Sequence, residues 1–493
     1  MRFRFSVPIV LALTGASVIG AQPAGPPPVA YDFARENAFS RQIDLDRPDP
    51  DVIRGVLDRR RQRVLSAIPE GAMLVFSVEW VQPRRLEFQV QHSDNHDFIY
   101  LTGLEGLSSV DSALLLVPGA DRDWVVLYSS ADDLDAIRAQ TGIEDVRPFA
   151  KLEEELSVAM TDYRDWRITQ VRRWPLPEAL ARRWGSAKKV LYLNYPRFFR
   201  LGMPEPERLE TFDRFRRFSP EMDLRDSADI LDSIRMYQDA LALASLRRAV
   251  AITGEGIIEA LRAARPGMTE TDVMQVMDFV YRYRGADLAF PTAVERYPMT
   301  GRPARPPIPE GFIQYASRSS AAVLEAGDLL HTDTGAEFNH FSADVQRNVV
   351  VDATFNVKQR ELYEVALNVQ KTVIENVRPG ATWWELHRMA ERMLGEAGGY
   401  DEYYSYGIGH FIGMDVHDEG DYSMPLRPGM ALSIEQGVAP PGLPRVAFED
   451  DVLVTETGHE WLSQSIPIEI ADVEVLRQTP SSFAPFVIKR RPY

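Results

Sequence analysis

The sequence predicts an α/β chain of two domains, the second made from one helix–helix–strand–strand unit used twice. Three observations carry this expectation. The chain has 493 residues, which at roughly 100–200 residues per domain makes two or three units. Apolar runs of strand length alternate with helical segments as far as about Asp226. Beyond that point the phrase Arg265-Pro266-Gly267, followed by Thr269, returns as Arg378-Pro379-Gly380, followed by Thr382.

Taken in order, residues 1–21 begin with Arg2 and Arg4, run apolar to about Gly20 and end in small residues. They read as a secretory signal peptide cut near Gly20 to Gln22, which predicts a periplasmic or secreted protein. A short membrane anchor is the alternative, but Pro8 interrupts the run and it falls short of the ~20 residues that span a bilayer. Loss of Arg2 and Arg4 would leave a net charge of about −19, and no membrane association is expected afterwards.

Residues 22–51 are a Pro-rich, polar linker, with structure expected from Val52. Met73 to Val78, Ala113 to Val117, Trp124 to Tyr128 and Val190 to Asn194 are strand candidates, and Lys151 to Met160 is a helix, giving an N-terminal α/β domain over 52–228. The second domain spans 229–475, and a tail follows at 476–493, whose basic stretch Ile488 to Arg491 has no assigned role.

Within the second domain Met236 to Ala264 and Lys358 to Val377 have helical spacing, and each stops at its Arg-Pro-Gly. Thr269 with Asp272, and Thr382 with Glu385, have the spacing of capping boxes. Downstream a glycine opens a strand and an acid follows six positions later, as Gly327 and Asp333 and again as Gly429 and Glu435. A further acid follows in each half, Asp344 and Glu449, so two matched pairs of carboxylates are expected at a pseudo-twofold site.

Composition narrows the chemistry. Hydrophobic residues make up 45%, enough for a sizeable core, and the net charge of −17 argues against a nucleic-acid partner. Cysteine is absent, so a disulfide framework, a thiolate nucleophile and a Cys-ligated metal are excluded. Any metal site must use His, Asp and Glu, which favours hard or borderline divalent ions.

The stretch Leu329 to Asn348 places Asp333 and Asp344 on either side of a turn at Asn339-His340. That turn sets Asp344 opposite Gly335, which shares a face with Asp333, so the two aspartates are diagonal neighbours on one face at about 7–8 Å. Taken alone, such acids are more often solvated turn residues. On a half-buried face they repel, and a proton or a cation must hold them there. The segment from Gly407 to Gly420 adds His410 and His417, and the second half adds Glu435 and Glu449. One histidine and four carboxylates (Asp333, Asp344, His410, Glu435, Glu449) suit a pair of manganese, zinc, cobalt or iron(II) ions.

On these residues the chain resembles the aminopeptidase P and prolidase family, whose catalytic domain has the pita-bread fold shared with methionine aminopeptidases. The Asp333, Gly335, Asp344 spacing, His410 to Asp418, Ser433 to Gly437 and Phe448 to Gly458 all fit. So do Phe88, Gln91, Ser93, Phe98 and Tyr100 to Gly103 in the N-terminal domain.

The resemblance implies two divalent ions, manganese foremost. Asp333 would chelate one, His410 and Glu435 would bind the other, and Asp344 and Glu449 would bridge them. Glu435 would also take the proton of the bridging water, whose hydroxide attacks the peptide. His417 would hydrogen-bond the substrate or the tetrahedral intermediate without being a ligand. The activity implied is removal of N-terminal residues from short peptides ahead of proline, or cleavage of Xaa-Pro dipeptides, in a homodimer or homotetramer.

Three departures concern the substrate side. The family's histidine on a strand before the first ligand Asp has no counterpart in Phe312 to Val323. The histidine four positions before the ligand His is Tyr406, and the arginine two before the last ligand Glu is Ala447, with Arg445 as a partial substitute. His331, Tyr406 and Arg445 are therefore candidate substrate-binding residues, and proline specificity is more open than hydrolysis. The alternatives are a metal enzyme of the same fold with a non-peptide substrate, and a non-catalytic binding protein that keeps the shell. Elsewhere, His340 is expected exposed in its turn. His92 and His96 are expected at the surface or near a neighbouring subunit's site. Trp383 and Trp384 are expected in packing, and Arg302 to Pro309 in an ordinary loop.

Overall fold

The computed structural model describes residues 31–77, 95–119, 121–159, 180, 183–184, 189–195, 207–298, 322–404 and 407–482. The signal-peptide segment, His92 with the family stretch before Asn95, the run 302–309, Tyr406 and the basic end of the tail lie outside these residues.

The first two helices are α1 (Phe33–Ser40), whose cap Asp32 accepts from the Arg35 N–H, and α2 (Pro50–Ala67), capped by Asp49 with proline in its first turn. The expected linker is thus partly helical. The Glu36 carboxylate of α1 accepts from Arg63 at 3.0 Å and from the Ala240 N–H at 2.9 Å, contacts that order a segment upstream of Val52.

The N-terminal domain continues with β1 (Ala72–Phe76), α3 (His96–Thr102), β2 (Ala113–Val117), β3 (Trp124–Ser129), α4 (Leu134–Thr141), β4 (Asp145–Pro148) and α5 (Lys151–Ala159). It closes with β5 (Lys189–Leu193), α6 (Glu207–Phe218) and β6 (Met222–Asp226). The sheet order is β4-β3-β2-β1-β5-β6. β2 and β5 are buried at every position, which is why both read as unbroken rather than alternating apolar runs.

The helix predicted from Met236 to Ala264 forms, but begins at Ala240. After α7 (Ala228–Arg235), Asp239 takes an extended backbone and caps α8 (Ala240–Ala263) by accepting from the Ala242 N–H. Its carboxylate also meets Arg60 of α2 through both oxygens, at 2.6 and 3.0 Å. A carboxylate buried with its own guanidinium fork joins the domains here, and it needs a helix start to sit at.

The second domain then runs α9 (Glu270–Tyr283), β7 (Asp287–Leu288), β8 (Ala293–Tyr297), β9 (Leu329–Thr334), β10 (Ala336–Phe338), β11 (Phe341–Ser342) and β12 (Val345–Val350). It continues with α10 (Val357–Glu375), α11 (Trp383–Glu396), β13 (Gly409–Phe411), β14 (Ala431–Val438), β15 (Val446–Val454), β16 (His459–Trp461) and α12 (Ile470–Gln478). Both predicted capping boxes form. The curved sheet has the order β13-β14-β15-β12-β9-β8, with antiparallel neighbours throughout. Its helix-facing side carries Phe448, set edge-on to Tyr363 of α10 at 4.8 Å, and an ion pair of Arg347 with Asp450 that has no exposure at all.

Local hydrogen bonds define the pseudo-twofold. Gly267 and Gly380, at φ 91° and 88°, donate to the carbonyls of Leu324 and Leu426. Gly327 and Gly429, at φ 89° and 93°, donate to Val351 and Val454. The relation brings Asp333 onto Glu435 as expected, but not Asp344 onto Glu449. Gln346 lies opposite Asp333 as Glu449 lies opposite Glu435, so Gln346 is the counterpart of Glu449 and Asp344 that of Ala447. The second matched pair of acids is therefore corrected to an amide and a carboxylate, because strand pairing and not the count of acids sets the equivalence. Among the described residues no helix is long and apolar enough to cross a membrane.

Candidate metal centre

The hairpin turns at Asn339 and His340, whose φ of 51° and 62° give the two-residue turn that favours the strand twist. Phe338 pairs with Phe341 and Thr334 with Val345, which sets Asp344 opposite Gly335 as the sequence predicts. A Cβ on Gly335 would lie 1.6 Å from the Ala343 carbonyl oxygen, so only glycine lets the strands close here.

Side chains on the face away from the helices form rows across the sheet. One row runs Ala293, Asp333, Gln346, Glu449, Glu435. The adjacent row holds His410, Ser433 and Asp451, and the Asp344 N–H reaches Asp451 at 3.1 Å. The predicted ligand positions, from four strands and from the link between β11 and β12, therefore share a face. His410 Nε2 lies 3.4 Å from Glu449 and 3.7 Å from Asp344, and one ligand atom from each of these three lies within 4.8 Å of the other two. Asp333, Asp344, His410, Glu449 and Asp451 are at most 7% exposed, which rules out solvated turn residues.

Neighbours orient the set. The Ser433 hydroxyl and the Gln346 amide donate to the two oxygens of Glu449. His410 Nδ1 donates to the Phe411 carbonyl at 3.0 Å, which leaves Nε2 to face the carboxylates. Burial, then Glu449 and Asp333, hold the Asp344 carboxyl well above the usual range. Burial and Glu449 push Glu435 up to about 8. Burial opposes the charge on His410, but Glu449 and Glu435 outweigh it and raise the imidazole to about 9. Glu449 itself is held low, against its burial, by the bond from His410.

Carboxylates crowded in this way keep protons unless a cation neutralises them. Asp344 Oδ1 and Asp451 Oδ1 are buried and accept no hydrogen bond among the described residues. Such oxygens beside one imidazole fit a divalent cation.

The remaining candidates lie around this face. His417 is exposed, and its ring meets the His410 ring edge-on at 4.3 Å. His331 is buried on the same face as Asp333, with Nδ1 3.1 Å from the Asn348 side-chain oxygen. Arg445 lies 3.9 Å from Glu295, which also accepts from the Tyr297 hydroxyl at 2.6 Å. Tyr406 lies outside the described residues. Trp383 is buried edge-on to Phe411 and packs as expected, whereas Trp384 is exposed and stacks on His387. Gln346, Ser433 and Asp451 escaped the sequence reading, although each stands two positions from a predicted ligand and the strand period of two was the signal.

The profile of metallopeptidase family M24 matches residues 244–456. The Xaa-Pro dipeptidase of Pyrococcus furiosus is 30% identical over 258 residues, covering 51% of this chain and 70% of that protein. The Xaa-Pro aminopeptidase of Escherichia coli is 24% identical over 470 residues, covering 86% of this chain and 98% of its own. Among solved structures, aminopeptidase P from Escherichia coli with the inhibitor Pro-Leu has a TM-score of 0.67 at 22% identity, over 86% of this chain and 98% of that one. Proline aminopeptidase P II from Yersinia pestis has a TM-score of 0.67 at 23% identity, over 86% and 99%. These likenesses show the fold, an α/β domain followed by the pseudo-twofold pita-bread domain.

Proposed function

Since the chain belongs to metallopeptidase family M24 and is an enzyme of the Xaa-Pro aminopeptidase type, we propose that it is a dinuclear metallo-aminopeptidase acting on short peptides. The observation that carries this reading is the one-faced set of Asp333, Asp344, His410 and Glu449, all buried, with half-buried Glu435, beside oxygens that accept no hydrogen bond among the described residues. These residues would hold two divalent ions, manganese foremost. Ions so placed lower the pKa of bound water and polarise a carbonyl.

The chain's own groups do the rest. Glu435, at about 8 in the absence of a cation, is the carboxylate to accept the proton of the attacking water and pass it to the leaving amine. His417, exposed beside His410, donates to the substrate oxygen as charge develops there. Ser433 and Gln346 keep Glu449 in one orientation. Residues 1–21 support a periplasmic or secreted location, which N-terminal sequencing of the mature protein checks.

The test is release of amino acid from Xaa-Pro and non-proline peptides, with Mn²⁺ and after chelation. Activity that survives chelation, or its absence on every peptide, sinks the reading. His410→Ala and Asp344→Asn should lose metal and turnover together. His417→Ala should keep its metal and lose about 10²–10³-fold in kcat. Ala447 and the Arg445–Glu295 contact favour a second arm, small non-peptide substrates, should every peptide prove inert.

A further inference from the structure

Around the loop that carries His417, the N-terminal domain supplies charges that peptide hydrolysis leaves unexplained. His96, the first residue of α3, has Nδ1 3.0 Å from Asp415. Arg235, buried at the end of α7, bonds Asp97 at 2.8 Å, Asp415 at 3.0 Å and Asp418 at 2.6 Å. Asp418 in turn accepts from the Met414 and Glu419 N–H groups, so the loop folds round its carboxylate. In the opposite direction His340, at the hairpin tip, bonds Glu105 of the N-terminal domain and lies 3.7 Å from Glu337. The two imidazoles are 6.3 Å apart. The Ser342 N–H donates to the Gly413 carbonyl at 2.8 Å, tying hairpin and loop together.

Each histidine therefore crosses the domain boundary, one in each direction. Between them they hold the two segments that bear Asp344, His410 and His417. His96 faces Asp415, Arg235, Glu337 and His340, and His340 faces Glu105, Glu337 and His96. Arg235 meets the carboxylates of Asp97, Asp415 and Asp418, and His340 lies against those of Glu105 and Glu337. A protonated His96 imidazole meets the Asp415 carboxylate with opposite charge. Burial disfavours the charged His96 ring, but Asp415 outweighs it and raises the pKa above the ordinary histidine value.

We propose that His96 and His340 are positioning residues that clasp the hairpin and the His417 loop onto the N-terminal domain, and that deprotonation of His96 loosens both segments. The effect on turnover rests on the peptidase reading, whereas the clasp itself does not.

The test is amide hydrogen exchange of residues 335–342 and 409–418 in the full-length, Mn²⁺-loaded protein at pH 6 and 9. Protection factors are corrected for the intrinsic pH dependence. In the parent protein, protection should fall about tenfold or more between the two values. His340→Asn, which tolerates the positive φ, should be weakly protected at both, and so should Glu105→Gln, a surface change that spares the fold. His96→Gln, which keeps a hydrogen bond but no charge, should behave likewise. Protection that is independent of pH and equal in parent and variants overturns the clasp. Where peptides are turned over, kcat in the variants should fall about tenfold at pH 6 with KM and metal content unchanged, and its dependence on pH should flatten. A variant that only loses thermal stability, with kcat and its pH profile intact, also overturns it. Should no peptide be cleaved while protection still follows pH, the clasp stands and the peptidase reading fails.

Discussion

Loading the centre with a divalent cation should expel about two protons or more at pH 7. Without a cation, the Glu435 carboxyl sits at about 8 and the His410 imidazole at about 9. At pH 7 the first is therefore about nine-tenths protonated and the second almost wholly so, and both must be deprotonated to act as ligands. Asp344, held well above the usual carboxylate range by burial and by Glu449, adds to the count. At pH 9.5 Glu435 has lost nearly all of its proton and His410 most of its own, so the number released should drop by more than one. The sign follows for stability. A raised Glu435 costs the metal-free protein stability above the unfolded value of 4.5, and the favourable contribution of His410 is present below 6.5 and lost as pH rises through about 9. Metal-free protein should thus unfold more readily as pH increases, and added cation should reverse the trend. Titration calorimetry of Mn²⁺ into stripped protein, in buffers of different ionisation enthalpy, reads the protons directly. Glu435→Gln should release about one fewer. No release at pH 7, or a count that climbs with pH, would refute the electrostatic argument for a cation site.

Three other expectations concern the scaffold. Asp450→Asn removes the partner of fully buried Arg347 and should cost about 3–5 kcal/mol in denaturant unfolding, with metal content unchanged, since Asp450 lies on the helix side of the sheet. Gly335→Ala puts a Cβ against the Ala343 carbonyl and should weaken metal affinity at least tenfold, so parental affinity in that variant would contradict the register. Asp278 is raised to about 6, chiefly by burial, so its ionisation opposes folding once pH exceeds the unfolded value of 3.8. Asp278→Asn should therefore stabilise by about 1–3 kcal/mol at pH 8 and by nothing near pH 4, as measured by unfolding at both values.

What could be read from the chain alone was what neighbours in sequence decide. Asn339-His340 specifies its own turn, and with a period of two the turn settles which side of the sheet Asp333 and Asp344 occupy. Thr269 and Thr382 cap helices through residues three positions away. The metal-ligand candidates were legible for the same reason, because each sits in a short stretch whose pattern is complete by itself. Tertiary structure decided the rest. Asp239 starts its helix four residues later than the apolar spacing predicts, and its partner, Arg60, stands 179 residues earlier. Residues 33–40 become a helix through Arg63 and Ala240. Glu449 comes to lie opposite Gln346 of the other half, and Asp415 meets a histidine of the other domain. Those outcomes depend on charged groups far apart along the chain being buried together, and burial multiplies the energy of such encounters in a way that no local pattern records.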